Sequence, residues 1–148
     1  MVLVDSDVFV LDLFYPTDPR AEANRGFIEA EIPLKATTVF NVLEICGIAS
    51  FNKSEEDLKR LFYEFHQTYG LDILYPDVEM TSAEDFLKHL VARTFSRILL
   101  KMNFSDALIL QMAESAGATI LVTWNEKHFA DRTSVQIVNP RLFLHQSM

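Results

Sequence analysis

The chain has 148 residues, 49% of them apolar, and a formal net charge of −8. That length suits one domain, 1–148, with one sizeable core, and the apolar share excludes disorder. The acidic balance argues against a protein that grips nucleic acid through clustered Lys and Arg alone, but leaves room for an enzyme that meets phosphates through metal ions.

The first residues, MVLVDSDVFVLDLF, set the frame. Val2–Asp5 is a short apolar run ending in an acid, which predicts a strand buried on both faces with Asp5 at its carboxyl end. Ser6 or Asp7 then caps a helix to about Tyr15, stopped by Pro16. Asp18 and Pro19 open a polar helix to about Ala30, and Leu34–Ala36 follows as a short strand. Thr37 or Thr38 caps a third helix, about Val39–Ser50, which is apolar nearly all round and therefore expected to be buried, with Glu44 in its middle. Ser54 and Asp57 have capping-box spacing ahead of a helix over about Glu55–Tyr69, with Leu58, Leu61, Phe62 and Phe65 as its core stripe.

Leu71–Tyr75 is the next strand. Ser82 and Asp85 repeat the capping spacing before a long helix, about Ala83–Lys101, with Phe86, Leu87, Leu90, Val91, Phe95, Ile98 and Leu99 expected to face in. Arg93, Arg97 and Lys101 lie four apart and form one basic row on its outer side. Asn103 caps a helix over Phe104–Ala116, which Gly117 ends. Thr119–Thr123 is a buried strand, Trp124–Phe129 a polar turn, Val135–Val138 a last strand, and Pro140 leads into the tail Leu142–Leu144. Strands alternating with helices predict an α/β fold with a parallel sheet covered on both faces. No apolar run approaches the roughly 18 residues of a membrane helix, and no basic leader precedes the first strand, so neither span nor signal peptide is expected. The single Cys46 fits a reducing cytoplasm and a small buried side chain.

Four positions stand out chemically. Asp5 either caps the following helix or belongs to a site at the sheet edge, with Asp7 beside it as a cap or supporting residue. Glu44 has Phe40, Asn41, Gly47 and Ile48 as its helical neighbours and no basic residue within a turn, so it needs a distant Arg or a metal. Asp106 suits the helix dipole, yet shares its face with the apolar Ile109, Leu110 and Ala113, which turns it inward. Asn125 alone is an ordinary turn residue. Together, Asp5 and Asn125 follow strand ends that can converge at one edge of a parallel sheet, while Glu44 and Asp106 come from helix faces packed near it. Carboxylates gathered without cations repel one another, and oxygen-only ligation favours Mg²⁺ or Mn²⁺. His66, His89, His128 and His145 show no zinc-ligand spacing.

These residues resemble a known family. VLVDSDVFV, TTVFNVLEICGIAS, NFSDALILQMAESAGATILVT, TWNEKHF and the closing VQIVNPRLFL are similar, in order and spacing, to PIN-domain ribonucleases of the VapC type, the toxins of prokaryotic toxin–antitoxin pairs. The resemblance covers essentially the whole chain. It implies a PIN-like fold, a parallel sheet of four or five strands flanked by helices, and metal-dependent cleavage of RNA. It maps the acidic cluster onto Asp5, Glu44 and Asp106 as ligands of Mg²⁺ or Mn²⁺. The fourth acidic position falls on Asn125, where the family more often has Asp, and Thr123 resembles a hydroxyl supporting the site. Asp7 stands where the family often has Asn. Arg93, Arg97, Lys101 and Lys127 are candidates for steering the RNA backbone. A separate antitoxin and a homodimer are the implied partners. VLVDSDVFV also resembles the first motif of haloacid-dehalogenase-type phosphatases, with Asp5 as nucleophile. A third reading is a PIN-like binding module that has lost catalysis.

Overall fold

In a computed structural model, which describes residues 1–77 and 82–146, five strands form one parallel sheet. The strands are β1 (Val2–Val4), β2 (Lys35–Thr38), β3 (Asp72–Leu74), β4 (Ile120–Val122) and β5 (Gln136–Val138), in the order β3-β2-β1-β4-β5. The helices are α1 (Ser6–Phe14), α2 (Ala21–Glu29), α3 (Val39–Ala49), α4 (Glu55–Tyr63), α5 (Phe65–Tyr69), α6 (Ala83–Ile98), α7 (Phe104–Ser115), α8 (Glu126–Phe129) and α9 (Pro140–Gln146). The register is Val2 on Ile120, Leu3 on Leu121 and Val4 on Val122. Strand order reverses between β1 and β4, so their carboxyl ends flank the crevice where open α/β sheets place ligands.

The alternation of β1 builds two cores. Val2 and Val4 pack with Phe9, Phe27, Ile45, Phe65 and Phe143 on one face. Leu3 packs with Ala107, Leu110, Leu121 and Phe129 on the other. The short central strands are apolar because helices cover both sides of the sheet.

Several expectations are corrected. Asp5 itself caps α1, accepting from the Ser6 N–H at 2.8 Å, so neither Ser6 nor Asp7 is the cap. The expected helix over Glu55–Tyr69 is broken at Glu64 into α4 and α5. The break turns Phe65 and Tyr69 onto Phe9, with ring centroids 5.0 and 4.8 Å away. The tail forms α9, which packs on α2 and begins at Pro140, with Asn139 Oδ1 accepting from the Leu142 N–H. The turn after β4 contains the one-turn helix α8.

The largest correction concerns apolar faces. On α6 and its C-cap Leu99, the side chains Leu87, Val91, Phe95 and Leu99 are 57–67% exposed rather than inward. α6 rests mainly on α7, and one neighbouring helix covers only one stripe of a helix apolar over a wider arc. The basic row is broken too: α6 ends at Ile98, Lys101 follows with φ of 62°, and Arg97 turns in to Glu114 of α7. On α3, Leu43 and Ile48 are exposed, so that helix is not buried all round.

Candidate metal and phosphodiester site

The site is assembled from the ends of β1 and β4, the first turns of α1 and α7, and the second turn of α3. Val4 ends β1, and its carbonyl accepts from Thr37 Oγ1 at 2.7 Å and from Asn41 Nδ2 at 3.1 Å. These buried bonds seat α3 against β1, one turn before Glu44. Thr38 caps α3 by accepting from the Asn41 N–H. On α7, Asn103 Oδ1 accepts from the Asp106 N–H, which fixes the turn that carries Asp106.

The carboxylates are linked by hydroxyls. Ser6 Oγ donates to Glu44 Oε2 at 2.7 Å, and Ser105 Oγ donates to Glu44 Oε1 at 3.1 Å. Ser6 follows Asp5 and Ser105 precedes Asp106, so Glu44 is tied to the neighbours of both acids. Thr123 Oγ1 lies 2.8 Å from Asp5 Oδ2 and 3.0 Å from Asp7 Oδ2. A hydroxyl has one proton, so it serves one of these two carboxylates at a time. Asp7 Oδ2 also accepts from the N–H groups of Trp124 and Asn125, at 2.9 and 3.0 Å. Asp7 therefore holds the loop after β4 in place. A second tie secures that loop: the Trp124 indole donates to the buried Asn24, which donates to the Val8 carbonyl.

Charge and burial oppose ionisation here. Asp5, 4% exposed, is pushed well above the usual carboxylate range by burial and then by the charge of Asp7, with Thr123 and the Ser6 N–H partly offsetting this and Asp106 adding to it. Asp7 is pushed up to about 6 by burial, against its hydrogen bonds from Thr123, Trp124 and Asn125. Asp106 is raised by burial and by Glu44, with His128 acting in the opposite direction. A like-charged set of this kind is what a bound cation relieves.

The structure puts Thr123 on Asp5, and ties Glu44 to the residues beside Asp5 and Asp106. Asn125 joins through its backbone; it is exposed, and its side chain makes no capping bond. Arg93 lines an open cavity of about 280 Å³ between α6 and α7. Lys127 is exposed on α8, while Arg97 is engaged by Glu114. Sequence reading missed Ser6 and Ser105, although each is adjacent to a singled-out acid, and missed His128, whose Nδ1 lies 2.9 Å from Asp106 Oδ2.

The donor set is all oxygen, which suits a hard divalent cation rather than zinc. Asp7 Oδ1 is buried with no hydrogen-bond partner, a further sign of uncompensated negative charge beside the cluster. Among the described residues, no three His, Cys, Asp or Glu side chains form a group that could hold a metal ion. The fit therefore lies in donor chemistry, in the hydroxyl links between the acids, and in the unpaired Asp7 Oδ1.

At the level of sequence, no family model matches the chain, and neither does any curated protein. Solved structures do match. A chain of a toxin–antitoxin complex from Klebsiella pneumoniae is 20% identical with a TM-score of 0.62, over 95% of this chain and 98% of that one. VapBC-1 from nontypeable Haemophilus influenzae is 17% identical with a TM-score of 0.65, over the same shares. FitAcB from Neisseria gonorrhoeae is 16% identical with a TM-score of 0.62, again over 95% and 98%. The chain has the PIN-like fold that its VapC-type motifs imply. At the switch point between β1 and β4, Asp5 follows β1 and Thr123 follows β4.

Proposed function

We propose that the chain is a metal-dependent endoribonuclease and the toxin of a prokaryotic toxin–antitoxin pair, acting in the cytoplasm. The observation that carries this reading is the hydroxyl linkage of the acids: Glu44 accepts from Ser6, beside Asp5, and from Ser105, beside Asp106. Asp5, Glu44 and Asp106 would hold Mg²⁺ or Mn²⁺. Bound there, such a cation supplies Lewis acidity and a water of lowered pKa for hydrolysis of a phosphodiester.

The chain's own residues prepare that site. The Thr123 hydroxyl orients Asp5, Ser6 and Ser105 fix Glu44, and Asp7 anchors the loop that presents Asn125 at the rim. Asn125 offers a neutral amide where an acid would add charge, which favours one cation over two. Lys127, Lys101 and Arg93 are exposed and available to steer RNA phosphates, whereas Arg97 is engaged by Glu114. The exposed apolar side chains on α3 and α6 suit an antitoxin and a second copy of the chain as partners. No helix among the described residues is long and apolar enough to cross a membrane.

The competing reading is a PIN-like binding module without catalysis, favoured by Asn125 and by the open spacing of the acids. Purified protein, free of any antitoxin, is incubated with a labelled structured RNA and Mg²⁺, Mn²⁺ or EDTA, beside the Asp5→Asn variant. Cutting that needs the metal and is lost in the variant is the expected result. Folded protein that cuts nothing in either metal, yet binds RNA or a partner, would establish the binding module instead.

A further inference from the structure

Asp106 has a side-chain partner on α8. His128, on α8, places its Nδ1 2.9 Å from Asp106 Oδ2. A carboxylate oxygen accepts, so Nδ1 carries the hydrogen of this bond. Asn103 Nδ2 donates to the same Oδ2 at 2.7 Å. Both side-chain donors thus fall on one oxygen of Asp106, and Oδ1 takes neither of them.

The platform under His128 is more heavily anchored than a one-turn helix requires. Phe129 is fully buried in the core beneath it. Arg132 Nη1 donates to the carbonyls of Lys127 and His128, both at 2.9 Å, and its Nε donates to the Leu100 carbonyl at 2.9 Å. Asn139 Nδ2 donates to Glu126 Oε1 at 2.8 Å. Arg132 thus ties α8 to the α6–α7 connection, the segment that leads into the Asp106 turn, and Asn139 ties it to the end of β5. Asn103 alone satisfies Oδ2; a second donor on a fixed platform adds control of the carboxylate's rotation.

We propose that His128 is a positioning residue that fixes Asp106 so that Oδ1 is presented to a bound divalent cation. This rests on the metal-dependent reading above. Carboxylates that bind metals are held by hydrogen bonds from outer partners, and loss of such a partner costs roughly 10- to 100-fold in metal affinity.

The test is direct Mn²⁺ binding, followed by the paramagnetic resonance of free Mn²⁺, for the wild type, His128→Ala and His128→Asn. Asn places its Nδ2 where His has Nδ1. The expected result is affinity weakened by about tenfold or more in His128→Ala, largely restored in His128→Asn, with unchanged metal-free unfolding midpoints. Equal binding by wild type and His128→Ala overturns the proposal, as does equal weakening in Ala and Asn. If His128→Ala does not fold, His128→Asn is compared with His128→Gln, which moves the donor one carbon further out. Wild-type binding by Asn with weakening by Gln supports the role, and any other order overturns it. A wild type that binds no Mn²⁺ overturns the nuclease reading along with this one, whereas binding insensitive to His128→Ala removes this one alone.

Discussion

The carboxyl edge of the sheet and the outer face of α6 break the same rule in opposite directions. At the sheet edge, Asp5, Thr37, Asn41 and Thr123 are polar and buried. On α6 and its C-cap, Leu87, Val91, Phe95 and Leu99 are large, apolar and exposed. Buried polar groups and exposed apolar patches are the informative departures from ordinary burial. The first survives because hydroxyls and backbone N–H groups meet nearly every buried oxygen, with Asp7 Oδ1 and Asn41 Oδ1 left unpaired. The second costs little in an isolated chain, and its area becomes favourable only against a partner. On the proposed reading, one region serves chemistry and the other association.

Breaking the sheet-edge side should have the largest effect. Asp5→Asn is expected to lower metal-dependent RNA cleavage by more than about 100-fold, beyond the range for outer-partner losses. Its metal-free unfolding midpoint should stay the same or rise, because a buried charge has been removed.

The next test uses pH. Asp7 has a folded-state value of about 6 against its ordinary 3.8. The folded form therefore binds this proton more tightly than the unfolded chain. The contribution is fully present below pH 4 and is lost as pH rises through about 6. Two pKa units correspond to about 3 kcal/mol. In EDTA, urea titrations of wild type and Asp7→Asn should diverge across that window, with the variant gaining on the wild type as pH rises. A constant difference would remove the charge-burial account.

A smaller effect is expected at the tie that holds the loop after β4. Asn24 is fully buried between the Val8 carbonyl and the Trp124 indole. Asn24→Ala should cost about 2 kcal/mol in urea unfolding, since both partners lose their bond inside the protein. The smallest effect on the monomer belongs to α6: Leu87→Glu with Phe95→Glu should change stability by no more than about 0.5 kcal/mol. Any self-association seen by light scattering should fall, which separates the two regions cleanly.

Much of this was legible in local sequence. Thr38, Ser54, Ser82 and Asn103 all cap the helices they were expected to cap, because capping is a short-range bond between a side chain and an N–H three residues on. The buried place of Asp5 at the end of β1 was legible because an apolar run and its end are local signals. What pattern cannot carry is the identity of the neighbour across a gap. The α6 period predicted a buried stripe, but only the fold reveals that α7 alone covers it. His128 was weighed for zinc spacing along the chain, while its partner Asp106 lies 22 residues away in sequence and opposite it in space. The tail helix α9 was readable in principle, since Asn139 and Pro140 are a cap and a first helical residue.

The central claim is that three carboxylates from three elements act as one site. A mutant cycle tests it most directly: RNA cleavage in Mn²⁺ by the wild type, Asp5→Asn, Glu44→Gln and the double variant. Residues that work as a unit lose function together, so the account predicts that the double variant is about as inactive as either single one. Losses that multiply independently, or a single variant that cuts like the wild type, would contradict it.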